Sequence, residues 1–226
     1  TDVAALAGLA ELAELEALDL SGNAVADAWP LAELAALRRL DLSGNRLGDV
    51  AALAGLSRLE VLDLSGNAVA DAWPLAGLAA LRRLDLSDNR LADVAALAGL
   101  ANLEVLVLDG NRVADVLPLA LLPRLARLDL SGNRVADALL LAELRALARL
   151  DLAGNRLSDV DPLGDLSRLV WLDLTGNPVS GLAPLGRLTA LRWLWLDAAA
   201  AGAEALAPLR ERSPPVRIEA RAPGTP

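Results

Sequence analysis

Cysteine, histidine, methionine, lysine, phenylalanine and tyrosine are all missing from this sequence, and its only aromatic residues are five tryptophans. The absence of cysteine excludes a disulfide framework and a thiolate metal site, and leaves the chain suited to either redox compartment. With no His, Cys or Lys the usual general bases and nucleophiles are missing too, and no glycine-rich phosphate loop stands in their place, so no enzyme is expected. Apolar runs such as VAALAGLANL at 94–103 are about half the length that a membrane-spanning helix needs. All 21 basic residues are arginine, yet the formal charge is −9. That balance gives no broad cationic surface for a phosphate backbone, and a nucleic-acid partner is not expected. Hydrophobic residues make up 54% of the chain, nearly all Leu, Ala and Val. A bias toward residues with GC-rich codons reads as a bacterial genome of that composition, with a consensus-designed scaffold as the alternative.

What is present is a repeat. A unit of 22 residues recurs, one copy running LRRLDLSGNRLGDVAALAGLSR from Leu37. Leu40, Leu62, Leu84, Leu106, Leu128, Leu150 and Leu172 stand in register, and Asn23, Asn45, Asn67, Asn89, Asn111, Asn133, Asn155 and Asn177 keep the same step. The Leu-x-Leu half alternates as a half-buried strand does. Later leucines, such as Leu53 and Leu56, fall three apart and predict a short helical turn. Pro30, Pro74, Pro118, Pro162 and Pro184 precede such leucines, where proline suits the first turn. One unit cannot bury its own apolar face; stacked units can, and they share a continuous core.

The LxxLxLxxNxLxDVxPLxxL pattern over about residues 2–197 resembles the leucine-rich repeat family, most of all its bacterial internalin-like class. The resemblance implies an α/β solenoid: a horseshoe with parallel strands on the concave side and short 3₁₀ turns on the convex side. It also implies an Asn ladder that bonds the loop backbone and leans toward a bacterial surface or secreted setting. The physical reading of the Asn column agrees, because a buried amide satisfies backbone groups that a tight bend leaves unpaired.

Four segments are expected. Residues 1–15 read as a partial repeat whose strand lies upstream, and 16–200 as the solenoid. Residues 201–220 read as a degenerate cap, with GAEALAPLRER at 202–212 as an amphipathic helix. Val216 and Ile218 then keep the 22-residue step as a tenth strand, and 221–226 form a tail or linker. Residues 18–61 and 62–105 differ at only five of 44 positions. These units are recent copies, and a specific contact is less expected on them.

Function must sit on the positions flanking the strand leucines. The middle column reads Asp19, Asp41, Asp63, Asp85, Val107, Asp129, Asp151, Asp173 and Trp195; the column before it reads Ala17, Arg39, Val61, Arg83, Val105, Arg127, Arg149, Trp171 and Trp193. A row of carboxylates is a solvated charged face rather than the oxygen cluster a hard cation wants, and neither a metal nor any cofactor is implied. Arg46, Arg90, Arg112, Arg134 and Arg156, each three residues before an Asp, are expected to bond locally in the loops. Trp171, Trp193 and Trp195 are expected to meet on the concave face, with Asp173, Arg149, Arg192 and Asp197 as a polar rim. Val105 and Val107, with Val61, form a second apolar patch, while Trp29 and Trp73 fall on the convex turns. The expected partner is a protein or peptide anchored on the indoles. The alternatives are a structural spacer within a larger surface protein, its tryptophans covered by the chain's own tail, and a carbohydrate-binding face.

Overall fold

A computed structural model describes residues 12, 14–202 and 204–221. Among the described residues, ten parallel strands form one open sheet in chain order. They are β1 (Ala17–Asp19), β2 (Arg39–Asp41), β3 (Val61–Asp63), β4 (Arg83–Asp85), β5 (Val105–Val107), β6 (Arg127–Asp129), β7 (Arg149–Asp151), β8 (Trp171–Asp173), β9 (Trp193–Asp197) and β10 (Arg217–Arg221). From β1 to β9 each residue pairs with the residue 22 further on, as with Leu84 and Leu106. The solenoid expected from the repeat is therefore the fold observed.

Each unit closes with a 3₁₀ turn on the far side, such as Trp29–Leu31, Ala95–Gly99 or Leu139–Glu143. Five of the turns carry proline in their first two positions. Proline has no N–H to lose there, and its fixed φ suits the turn. In six of the turns the Asp two residues before accepts the first N–H, as Asp49 does from Ala51 at 2.8 Å and Asp137 from Leu139 at 2.8 Å. The five loop arginines do not form the expected pairs with these aspartates; among the described residues no such ion pair lies within 4 Å. The backbone N–H is a nearer and better-aligned partner, and it takes the carboxylate.

The core is a ribbon of leucines running the length of the stack, with Leu53, Leu56, Leu62, Leu64 and most of their counterparts in other units buried, while Leu18 and Leu20 of the first unit are half-buried. Each buried leucine contributes about 1.5–3 kcal/mol by leaving water. The loops beside the core are locked by the Asn column. Nδ2 of Asn133 donates to the carbonyls of Leu130 and Ser131 in its own unit and of Leu108 in the unit before, at 3.0, 3.2 and 2.9 Å. Its Oδ1 accepts the N–H of Val113 at 2.8 Å. One amide thus ties two consecutive units together. The preceding position is glycine at φ near +64° in most units, but it is Asp88 at φ 49° in the fourth. An aspartate there carries a left-handed backbone that glycine adopts without cost.

The C-terminal end departs from the expected pattern. Residues 202–212 do not form one helix. A short helix at Ala198–Ala201 is followed by a 3₁₀ turn at Glu204–Leu206 and a second helix at Ala207–Arg210, with Leu206 and Leu209 buried. Pro208 sits in the first turn of the last helix, where it starts a new helix rather than continuing one. The tenth strand forms, but Ile218 pairs with Leu194 and not Leu196, a step of 24 residues. The helical insertion takes up the two extra residues. The expected partial repeat and tail lie mostly outside the described residues.

Replacing Asn133 by Ala is expected to cost about 2–4 kcal/mol, because it strands several backbone groups of two units. Replacing Asp88 by Gly is expected to stabilise the chain by about 1 kcal/mol through relief of the left-handed backbone. Denaturant titration of both variants measures the two effects; destabilisation by Asp88→Gly would refute the strain reading.

Candidate functional site

The alternation of the strands sends every second side chain out of the core onto the concave face. On β8 and β9 those side chains are indoles. The ring centroids of Trp171 and Trp195 lie 4.8 Å apart with planes tilted at 41°, and those of Trp193 and Trp195 lie 5.9 Å apart and stacked at 18°. The stack is capped at both ends by guanidinium groups. Arg149 of β7 lies 3.6 Å from the centroid of Trp171, and Arg217 of β10 lies 4.9 Å from that of Trp193. Five side chains from four adjacent strands thus form one row. Cation–π contacts of this kind contribute about 0.5–1 kcal/mol each where exposed. Trp193 keeps 37% of its surface open, while Trp171 and Trp195 are half-buried. The meeting of the three indoles was expected from their columns; Arg217 was not named, although a 22-residue step also sets it on that face, opposite Trp195 rather than Trp193.

Two of the expected rim residues do something else. Asp173 is only 1% exposed. It stands opposite Trp195 in the sheet, and its Oδ1 accepts the N–H and hydroxyl of Thr175 at 2.9 and 2.7 Å. Large rings on the same face take it out of solvent, and the carboxylate turns to its own loop. Asp197 accepts the N–H of Gly176 at 3.0 Å. In earlier units that glycine N–H finds a backbone carbonyl of the next unit, as Gly154 does with Thr175 at 2.7 Å. Asp197 supplies the oxygen where the repeat ends, and its role is a cap. Arg192 is exposed and donates to its neighbour's carbonyl, Leu191, at 2.9 Å.

Val105 and Val107 are not a separate patch. They share one concave depression of about 540 Å³ with Trp171, Val170 and the arginines 83, 127 and 149. Val61 lies in a different depression near β1–β4, of about 450 Å³. Trp29 and Trp73 are each 60% exposed on the convex turns, in line with passive exposure there.

The Asp column is tied down by serine. Asp41 accepts both the N–H and the hydroxyl of Ser43, at 2.9 and 2.6 Å, and the pattern recurs at Asp19, Asp63, Asp85 and Asp129. The Ser21 hydroxyl and N–H hold Asp19 below the usual carboxylate range. Three units break the rule, the ninth with Trp195 on the strand and Asp197 in the serine place. The seventh has Ala153 in the serine place, so Asp151 keeps only a backbone donor at 3.1 Å. Burial, and then the charge of Asp129, pushes its carboxyl up to about 7. The fifth has Val107 on the strand and Asp109 in the serine place, and burial with the charges of Asp129, Asp88 and Asp85 pushes Asp109 up to about 6. Among the described residues no group of three or more acidic side chains is arranged to hold a metal ion. No helix among them is long and apolar enough to cross a membrane.

Two blocks of the sequence, residues 35–76 and 79–121, match the model of the family described as Leucine Rich repeats (2 copies). Among solved structures the chain is similar to an internalin (inlF) from Listeria monocytogenes, with 30% identity and a TM-score of 0.87. The match covers 96% of this chain and 63% of that one, so this chain spans less than two thirds of that relative's length. It is also similar to internalin C2 (inlC2) from the same organism, at 32% identity and a TM-score of 0.79, covering 85% of this chain and 92% of that one. A plant peptide hormone receptor solved in complex with RGF2 shares the fold at 20% identity and a TM-score of 0.73, over 91% of this chain and 36% of that one. No curated protein matches the sequence at a significant level.

The raised carboxyl of Asp151 sets a sign for stability. Its folded form binds a proton up to about pH 7 while the unfolded chain releases it near 4. Its contribution is therefore complete at pH 4 and is lost as the pH rises to 7. Asp151→Asn is expected to match the parent at pH 4 and to exceed it by roughly 1–2 kcal/mol at pH 8, after allowance for partial exposure. Thermal melts across this range measure the difference; an equal gain at both pH values would refute it.

Proposed function

This chain belongs to the leucine-rich repeat family, in its internalin-like class, and on that premise we propose that it is a non-catalytic module that binds a protein or peptide partner on its concave face. The observation that carries the reading is the contact of three indoles on that face, in a chain with five aromatic residues in all. A tryptophan buries roughly 150–250 Å² on full contact and is enriched where binding energy concentrates. Trp193 is the most exposed indole of the row, and the depression from Val105 to Trp171 continues the surface toward the middle of the sheet. The plant peptide hormone receptor that shares the fold was solved in complex with RGF2. Among the concave strands β1–β4 the outward positions are charged apart from Ala17 and Val61 and carry no indole, which favours the C-terminal half as the binding half.

One observation favours a second reading. Arg217, from the strand that closes the stack, already rests on Trp193. In a structural spacer the row serves to hold β10 in place, and no partner is needed.

The two readings separate on one double substitution. Trp193→Ala with Trp195→Ala is expected to weaken partner binding by about tenfold or more, each indole contributing upward of 1 kcal/mol, while the far-ultraviolet dichroism stays unchanged. Calorimetric titration against the partner measures it. Unchanged affinity with a lowered melting temperature would give the row to the spacer.

A further inference from the structure

The concave depression has a chemistry that differs from the rest of the chain. Three guanidinium groups, of Arg83, Arg127 and Arg149, surround an apolar floor of Val105, Val107 and Trp171. The floor exists because the fifth unit reads Val at both outward strand positions. The carboxylate that other units carry on the strand is displaced there to Asp109 in the loop. Arg127 and Arg149 are direct register partners on β6 and β7, two like-charged side chains carried on backbones about 4.8 Å apart. Arg149 is drawn onto Trp171. Arg83 approaches Asp85 only at 3.8 Å. Arg127 is exposed and, among the described residues, makes no ion pair within 4 Å. The carboxylate on the same floor, Asp129, has its Oδ1 committed to the N–H and hydroxyl of Ser131 at 2.9 and 2.8 Å.

We infer that this depression takes an extended peptide segment in which a carboxylate stands beside a bulky apolar side chain. The inference rests on the reading of the concave face as a binding surface and names the chemistry of the partner. The carboxylate meets the fork of Arg127, whose planar donors suit bidentate contact, and its charge relieves the repulsion between Arg127 and Arg149. The apolar side chain lies on the two valines and against the edge of Trp171. A basic segment is disfavoured by three guanidiniums at short range, and an apolar segment without an acid leaves Arg127 desolvated and unpaired.

The test is selection of peptides from a random dodecapeptide display library on the purified chain, in parallel on Arg127→Ser and on Arg58→Ser, an arginine outside the depression. Circular dichroism melts establish that each variant is folded. The parent and Arg58→Ser are expected to enrich peptides that pair Asp or Glu with a large apolar residue. A synthetic representative is expected to bind about tenfold more weakly when its acids become amides, and by a similar factor to Arg127→Ser. A pool without acidic residues, a basic pool, no pool at all, or affinity unmoved by Arg127→Ser overturns the inference. A pool that is apolar, insensitive to Arg127 and lost on Trp193→Ala with Trp195→Ala overturns it too, yet leaves the concave face standing as a binding surface.

Discussion

The structure depends on the bond between one unit and the next. No unit of 22 residues has a core of its own; its leucines are buried only because another unit lies on each side. Hydrophobic burial drives that stacking but does not fix its register, since one leucine ribbon slides easily over another. The asparagine amide supplies the register. Its donors reach carbonyls in two units and its oxygen takes an N–H from the earlier one, so a shift of one residue leaves buried polar groups unpaired. The stack is therefore specified at its loop edge and stabilised at its centre.

That division of labour frees the concave face. The strand leucines, the asparagine, the turn proline and the turn aspartate are all spent on holding the stack. The two outward strand positions are spent on nothing beyond a local hydrogen bond from serine to aspartate. Substitution there costs little, as β5 shows with two valines and β9 with two indoles while Leu106, Leu194 and Leu196 remain fully buried. The cost is electrostatic. Where the serine is lost, at Ala153, the carboxylate of Asp151 is left with burial and a like-charged neighbour and holds its proton to near neutral pH. A face assembled one column at a time carries such tensions, and they mark where the pattern has been altered.

The periodic part of this molecule was legible in the sequence because its physics is periodic. Strand register, buried asparagines and proline-led turns all follow from a spacing of 22, and so does the meeting of Trp171, Trp193 and Trp195. The failures fall where periodicity ends or where a side chain has a partner within its own loop. The register of β10 moved by two residues because the insertion that precedes it has no counterpart in other units. Asp197 meets the Gly176 N–H with its carboxylate because the ninth unit reads Asp where the earlier units offer a backbone carbonyl from Ser, Ala or Thr. Asp173 went under the indoles because a column pattern says which way a side chain leaves the strand, not what its neighbours then cover. The loop arginines and aspartates were spaced as pairs, but a backbone N–H two residues away outcompetes a flexible guanidinium. Arg217 follows the same column pattern, which sets it opposite Trp195; the register shift moves it to Trp193 on the same face.

Charge works on two length scales here. At a distance the chain is acidic, with a formal −9, and repels an acidic partner. That field is screened beyond about 8–10 Å at physiological ionic strength. Within the depression the relevant charges are closer than that, and they are the arginines of one column rather than the aspartates of the next. The aspartates have an internal partner in serine, whereas the guanidiniums point outward with a carboxylate missing at β5. A segment that recognises this surface is thus selected by contact and not by long-range attraction. Such a surface discriminates by leaving a wrong ligand with an unpaired arginine, which is a penalty, more than by drawing the right one in. The two valines of β5 matter for that reason. By removing a carboxylate from the middle of an otherwise unbroken row, they turn a neutralised stripe into a site with a sign.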